Sequence, residues 1–309
     1  MNYFSLSLTV LGLALFETIS SIDNAVINAD VLHTMQPKAR RWFLVWGILF
    51  AVFVVRGLLP WAIVWATMPQ LGPVGALTAT FSSDPGVLKA IEESAPILLV
   101  GGGTFLVFLF FHWLFLEPKN FGLPLAEKFF MKQGVWFYAI VSIFLSGLVW
   151  MALKTHAMMA FGAVVGSTAF FITHGFKQNA EAAEANLKTK TRSDISKILY
   201  LEVIDSTFSI DGVLGAFAFT LSVPIILLGN GLGAFVVREL TVHNIEKIKK
   251  YAYLKNGAMY SILFLGLVMI FHSFGVPVPE WASPVITFSV IGWFFLKSHW
   301  EIKKNNNPT

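Results

Sequence analysis

The chain has 309 residues, of which 56% are hydrophobic and 13% charged, with 30 phenylalanines and a net charge of +4. Soluble domains carry about 25% charged residues, so composition excludes a soluble enzyme and points to an all-α polytopic membrane protein of one domain. There is no cysteine, which excludes disulfides and thiolate metal sites, and the modest positive charge calls for no nucleic-acid partner.

In chain order, nine apolar runs are long enough to cross a bilayer core of about 30 Å: 4–32, 42–67, 95–116, 134–153, 155–174, 197–222, 224–242, 255–273 and 282–299. The N-terminus lacks the basic region of a cleavable leader, and the first run continues past leader length. The connections alternate between basic and non-basic. Lys38, Arg40 and Arg41 follow the first run, and Lys119, Lys128 and Lys132 the third. Lys177, Lys188, Lys190, Arg192 and Lys197 follow the fifth, and Arg238, Lys247, Lys249, Lys250 and Lys255 the seventh. The positive-inside tendency then places the N-terminus outside and the C-terminus inside. Segment 69–93, with Pro69, Gly72, Pro73 and Pro85, reads as an outer loop. Segment 175–196 is polar and alanine-rich and reads as a cytosolic linker between two halves.

Two acidic clusters lie inside the apolar runs. One is Glu17-Thr-Ile-Ser-Ser-Ile-Asp23-Asn24; the other is Glu202-Val-Ile-Asp205-Ser-Thr-Phe-Ser-Ile-Asp211-Gly212. A carboxylate at bilayer depth costs roughly 2.5–3.5 kcal/mol on insertion scales, so several of them call for a cation or a proton to neutralise them. Aligning Glu17 with Asp205 brings Asp23-Asn24 onto Asp211-Gly212. The first span descends and the sixth ascends, so the copies are antiparallel, as in an inverted-topology repeat. At about 1.5 Å per residue, Glu17 and Asp205 fall near the midplane, with Asp23 and Asp211 toward opposite surfaces. At about 100° per residue, positions six apart do not share one helix face. Asn24 and Gly212 weaken helices, so the spacing predicts a kink or unwound turn there, exposing carbonyls to a cation.

Arg56, midway along the second run, requires a carboxylate in a bundle and reads as the counter-charge of the empty acidic site. Asn230 is a further candidate, as a ligand or as the cap of a helix break. Asp30 lies near the inner end of its span, within reach of water. His112, His156, His174, His243 and His272 read as interfacial residues. Gly101, Gly102, Gly103, Gly162 and Gly166 read as sites of close helix packing.

These residues resemble the TerC (tellurium-resistance C) family. Phe16-Glu17 through Ser21-Ile22-Asp23-Asn24-Ala25-Val26, followed by Arg40-Arg41 and Gly47, is similar to that family's first motif. Glu202-Val-Ile-Asp205 through Phe208-Ser209-Ile210-Asp211 is similar to its second, Arg56 to its intramembrane arginine, and Tyr253-Leu254-Lys255-Asn256-Gly257 to a later basic turn. The middle, 69–195, departs from the compact form and is similar to a longer TerC-like branch. The resemblance implies an inner-membrane transporter, with manganese export its expected activity, and carries the ligand set Glu17, Asp23, Asn24, Glu202, Asp205 and Asp211.

Carboxylate and amide oxygens suit hard divalent ions such as Mn²⁺, Ca²⁺ and Mg²⁺. The expectation is therefore a transporter, not an enzyme, that holds no resident cofactor and exports a divalent cation, Mn²⁺ first, from the midplane. Its partners are that cation and the lipid bilayer. Acids that bind protons instead would couple export to the proton gradient. The alternative is a stress or tellurite-resistance membrane scaffold whose acids stabilise the bundle.

Overall fold

The computed structural model describes residues 3–47, 50–79, 82, 84–187, 193–241 and 245–306. Among these the ordered elements are all helical. α1 (Tyr3–Ser20) and α2 (Ile22–Leu32) follow one another across Ser21. α3 (Pro37–Trp42) passes into a π-helical turn at Phe43–Gly47. A longer π-helical stretch, Ala51–Leu58, leads into α4 (Leu59–Thr67), and α5 (Gly72–Thr78) follows. The middle of the chain forms α6 (Pro85–Leu116), α7 (Pro124–Lys132), α8 (Phe137–Thr155) and α9 (Ala157–Leu187). The last part forms α10 (Asp194–Ala216), α11 (Val223–Glu239), α12 (Ile245–Ile248), α13 (Leu254–Ser273) and α14 (Ala282–Asn306).

Local sequence explains several boundaries. Pro37, Pro60, Pro85 and Pro124 each stand in a first helical turn, where the missing N–H is one the helix leaves unpaired anyway. Asp84 caps α6 by accepting from the Gly86 N–H at 2.7 Å, and Ser193 caps α10 by accepting from the Ser196 N–H at 3.3 Å.

Among the described residues, five helices are long and apolar enough to cross a membrane: Tyr3–Ser20, Pro85–Leu116, Gly134–Thr155, Ala157–Asn179 and Leu254–Ser273. The other expected crossings coincide with helices that are broken, shorter or more polar. The run 42–67 is divided among α3, two π-helical stretches and α4. Segment 69–93, expected as an outer loop, contains α5 and the first turns of α6. The stretch expected as a cytosolic linker is helical as far as Leu187, and 188–192 lie outside the described residues.

α6 is the axis of the bundle. From Ile97 onward it is apolar on nearly all sides, and Val100, Phe105, Leu106, Phe108 and Trp113 are at most 1% exposed, the pattern of a helix enclosed by neighbours. It packs against α9 and α13 through glycines. A Cβ on Gly166 would lie 2.0 Å from the Gly101 carbonyl oxygen, and one on Gly103 would lie 2.8 Å from that of Gly266. The segment that departs from the compact pattern therefore supplies the central helix.

α1 packs lengthwise on α11 by the same device. A Cβ on Gly229 would come within 2.5 Å of Leu13 Cβ, and one on Gly233 within 2.7 Å of Glu17 Cβ. This contact fixes the position of Glu17 against α11.

Candidate functional site

Glu17 is fully buried near the end of α1, and Arg56, 3% exposed, reaches it from the π-helical stretch. Arg56 Nε and Nη2 both lie 2.7 Å from Glu17 Oε1. The Ser21 hydroxyl donates to the same oxygen at 2.9 Å. Arg56 Nη1 donates to Asp205 Oδ2 at 3.2 Å, and the Asn24 amide donates to Asp205 Oδ1. One guanidinium thus serves two carboxylates from α1 and α10, with Ser21 and Asn24 as neutral donors. An isolated buried charge costs several kcal/mol, and pairing of this geometry offsets much of that cost.

The predicted break falls at Ser21, three residues before Asn24. It is mild: the Ser21 N–H still bonds to the Glu17 carbonyl at 3.1 Å, and the Ala25 N–H to the Ser21 carbonyl at 2.9 Å. α10 continues through Gly212 to Ala216 without interruption. The unwound carbonyls expected at the two motifs are absent at both of these positions. Gly212 has a different use. A Cβ there would lie 2.5 Å from Glu17 Oε2, so the glycine makes room for a carboxylate oxygen.

Beside the ion pair lies a cleft with about 490 Å³ of open space, lined among others by Asn28, Gly47, Arg56, Glu202, Asp205 and Arg238. Glu202 Oε1, Asn24 Oδ1 and Asn28 Oδ1 are buried acceptors without a donor, as is Glu17 Oε2. Buried acceptors are nearly always paired, so this concentration is unusual. Gly47 accommodates Glu202 as Gly212 does Glu17, since a Cβ on it would lie 2.3 Å from Glu202 Oε1. Asn28 escaped the sequence reading. Its signal is its spacing, four residues after Asn24 and so on the same face of α2.

Asp211 stands apart. It lines a second cavity, with about 540 Å³ of open space including its mouth, together with Ser20, Glu117, Lys177 and Lys255. The sequence placed Asp23 and Asp211 as guards of opposite surfaces. The charged wall of the second cavity comes from Asp211 on α10, Lys177 on α9, Glu117 just past α6 and Lys255 at the N-terminal end of α13. The Asp30–Lys249 pair at 3.8 Å and the Asn120–Ala252 hydrogen bond at 3.4 Å tie this end of the bundle to the end of α2 beside the first cleft. Asp23 lies in α2, and its side chain is outside the described residues. Glu17, Asn24 and Asp205 are therefore brought together around Arg56, Glu202 shares their cleft, and Asp211 belongs to a separate one. Among the described residues, no three His, Asp or Glu side chains gather closely enough to hold a metal. A cation at the pair would have to take the guanidinium's place. Asn230 is fully buried with both amide atoms unpaired, but it lines neither cavity.

Beside the second cavity lies a cluster around His112, a residue the sequence alone suggests is interfacial. His112 is only 7% exposed. Its Nδ1 lies 3.3 Å from Glu117 Oε1, and Lys255 Nζ lies 3.1 Å from Glu117 Oε2. Burial raises the Glu117 pKa, but the His112 hydrogen bond and the charges of Lys255 and Lys177 outweigh it and hold Glu117 well below the usual carboxylate range. Nearby, burial lowers Lys119 to about 8.

Residues 22–306 match a family described as "Protein of unknown function (DUF475)". An uncharacterized membrane protein of Rickettsia prowazekii is 25% identical over 38% of this chain and 39% of its own length. Another, of Rickettsia conorii, is 24% identical over 43% of this chain and 44% of its own length. The chain thus matches less than half of the length of these curated relatives. No solved structure matches. None of these names assigns TerC. With the five apolar helices, the relatives' names support a membrane location.

Proposed function

The chain belongs to the DUF475 family, and we propose that it carries a small divalent cation across its membrane through the Glu17–Arg56–Asp205 cleft. The observation that carries this reading is the set of donor-less buried oxygens, on Glu202, Asn24, Asn28 and Glu17, around a guanidinium shared by two acids. Oxygen donors of this kind suit Mn²⁺, Ca²⁺ or Mg²⁺. The likeness of both acidic motifs to the TerC family favours Mn²⁺ and export.

In the empty state Arg56 neutralises Glu17 and Asp205. A cation entering past Glu202 and Asn28 displaces the guanidinium and is received by Asp205, Glu17 and the Asn24 carbonyl oxygen. Release restores the ion pair, so no state leaves the acids uncompensated. The proposal retains nine crossings with the N-terminus outside, the antiparallel motif copies and a bacterial inner membrane. It assigns no enzymatic step.

A scaffold role remains the second reading, because the ion pair is satisfied without any cation and would hold α1, α10 and the π-helical stretch together by itself. Expression in a manganese-sensitive host separates the two. In the transport reading, Asp205→Asn and Glu202→Gln abolish protection at unchanged protein level. In the scaffold reading, protection falls only in step with the amount of folded protein. Full protection by both variants would remove the cleft from the mechanism.

A further inference from the structure

The second cavity and the side chains packed beside it play no part in the cation pathway described above. His112 on α6 and His174 on α9 lie with ring centroids 3.9 Å apart. Phe137 meets His112 edge-on at 5.5 Å, and Phe170 stacks on His174 at 5.8 Å. Two imidazoles in contact, each against a phenylalanine ring, are hard to explain as interfacial residues. Helix packing needs no such pair, and like charges this close cannot both be carried.

The hydrogen bonds assign the protons. Glu117 is ionised and can only accept, so His112 Nδ1 must carry the hydrogen that faces it. The neutral His112 ring then presents Nε2 as a bare acceptor. The Gln178 side-chain N–H donates to His174 Nε2 at 3.0 Å, which leaves His174 its hydrogen on Nδ1. The charged groups around the pair are Glu117 and Lys119 just past the end of α6, Lys177 on α9, Asp211 on α10 and Lys255 on α13. Asp211, Lys177 and His174 line a common pocket with Phe105 and Phe170. Asp211 and Lys177 also line the larger cavity that reaches Ser20, three residues from Glu17. A proton on His112 gains the Glu117 carboxylate as counter-ion, whereas one on His174 meets Lys177 and, once His112 is charged, a second cation.

We propose that the His112–His174 pair is a proton-binding site that takes up a single shared proton, and that it supplies the counter-ion of the cation cycle. The proton adds to His112 Nε2 and returns to water; no bond other than that N–H is made or broken. The use of the site rests on the transport reading, but its existence does not, and the test keeps the two separate.

The test uses the full-length chain in lipid nanodiscs with ¹⁵N-labelled histidine, the ring signals assigned from His112→Gln and His174→Gln. In the wild type, the signals of both rings should move together in two apparent steps separated by more than about one pH unit. Either substitution should collapse the remaining ring to one step. If one variant does not fold, the other reads the same coupling from the opposite ring. Independent single-step titration of each ring, unchanged by loss of the other, would overturn the proposal. In proteoliposomes, Mn²⁺ flux of His174→Gln should lose at least about fivefold of the wild type's variation between pH 6 and pH 8, the range in which histidine titrates. Flux with unaltered pH dependence would overturn the coupling. Absence of any Mn²⁺ flux in the wild type would defeat the transport reading, while the titration still decides the proton site.

Discussion

Replacing Arg56 with alanine removes the guanidinium that serves both Glu17 and Asp205. Breaking a buried ion pair from one side costs about 3–5 kcal/mol, because the partner charge stays behind uncompensated. The two acids do not suffer equally. The Asp205 side chain is 13% exposed beside the cleft and regains water, whereas Glu17 is fully buried and does not. The loss therefore falls mainly on Glu17 and should be about 4 kcal/mol, within the range for such pairs. On globular-protein scaling of roughly 2–4 °C per kcal/mol, Tm should fall by roughly 10 °C. Unfolding in nanodiscs, followed calorimetrically, measures it. Adding Glu17→Gln to Arg56→Ala should recover about half of the loss, since neutralising the orphaned acid removes the coupled term. A divalent cation should also rescue the single variant. At a hundred times its Kd it should restore about 2.7 kcal/mol, and it should stabilise the wild type less, because there it must first displace Arg56. An Arg56→Ala protein within about 1 kcal/mol of wild type, far short of the buried-pair cost, would refute this reasoning. So would a cation that stabilises both proteins alike.

Three further outcomes follow from the same geometry. Gly212→Ala would place a methyl 2.5 Å from Glu17 Oε2; Glu17 must shift, and manganese protection in a sensitive host should fall by tenfold or more, about 1.4 kcal/mol in barrier terms. Gly166→Ala presses against the Gly101 carbonyl at 2.0 Å, while Gly147 has nothing within 4 Å; in thermal unfolding the first should lose about 1–3 kcal/mol and Gly147→Ala should gain up to about 1 kcal/mol. Lys119, lowered by burial from 10.5 to about 8, should be acylated at pH 8 ahead of exposed lysines, as read by mass spectrometry. The unfolded chain binds that proton more tightly, so this group adds stability as pH rises from about 8 toward 10.5.

The sequence disclosed the chemistry better than its arrangement. Glu17, Asp205 and Arg56 each stood out, because a charge inside an apolar run needs a partner wherever it sits. Which acid pairs with Arg56 depends on the π-helical stretch Ala51–Leu58 and on the docking of α1 onto Gly229 and Gly233, and neither is written in local pattern. The six-residue spacing of acid and Asp suggested a kink at Asn24 and Gly212. The fold sends Asp205 and Asp211 from one uninterrupted helix into two different cavities, so no kink is needed in α10. His112 and His174 read as interfacial because each is unremarkable in its own segment, and Glu117 drew no reading at all. Only the packing of α9 on α6 brings them together. Gly101, Gly103, Gly162 and Gly166 were legible as points of close approach, whereas Gly212, read as a helix breaker, and Gly47 prove to shelter carboxylates.

The central claim is that the donor-less oxygens of the cleft exist to receive a moving cation. Flux into proteoliposomes tests it directly, with Mn²⁺, Ca²⁺, Mg²⁺ and tellurite compared side by side for the wild type and Asp205→Asn. The account predicts that at least one divalent cation crosses with the wild type and not with the variant, and that tellurite does not cross. A correctly inserted wild type that passes none of the cations, or a variant that passes them equally well, would contradict it.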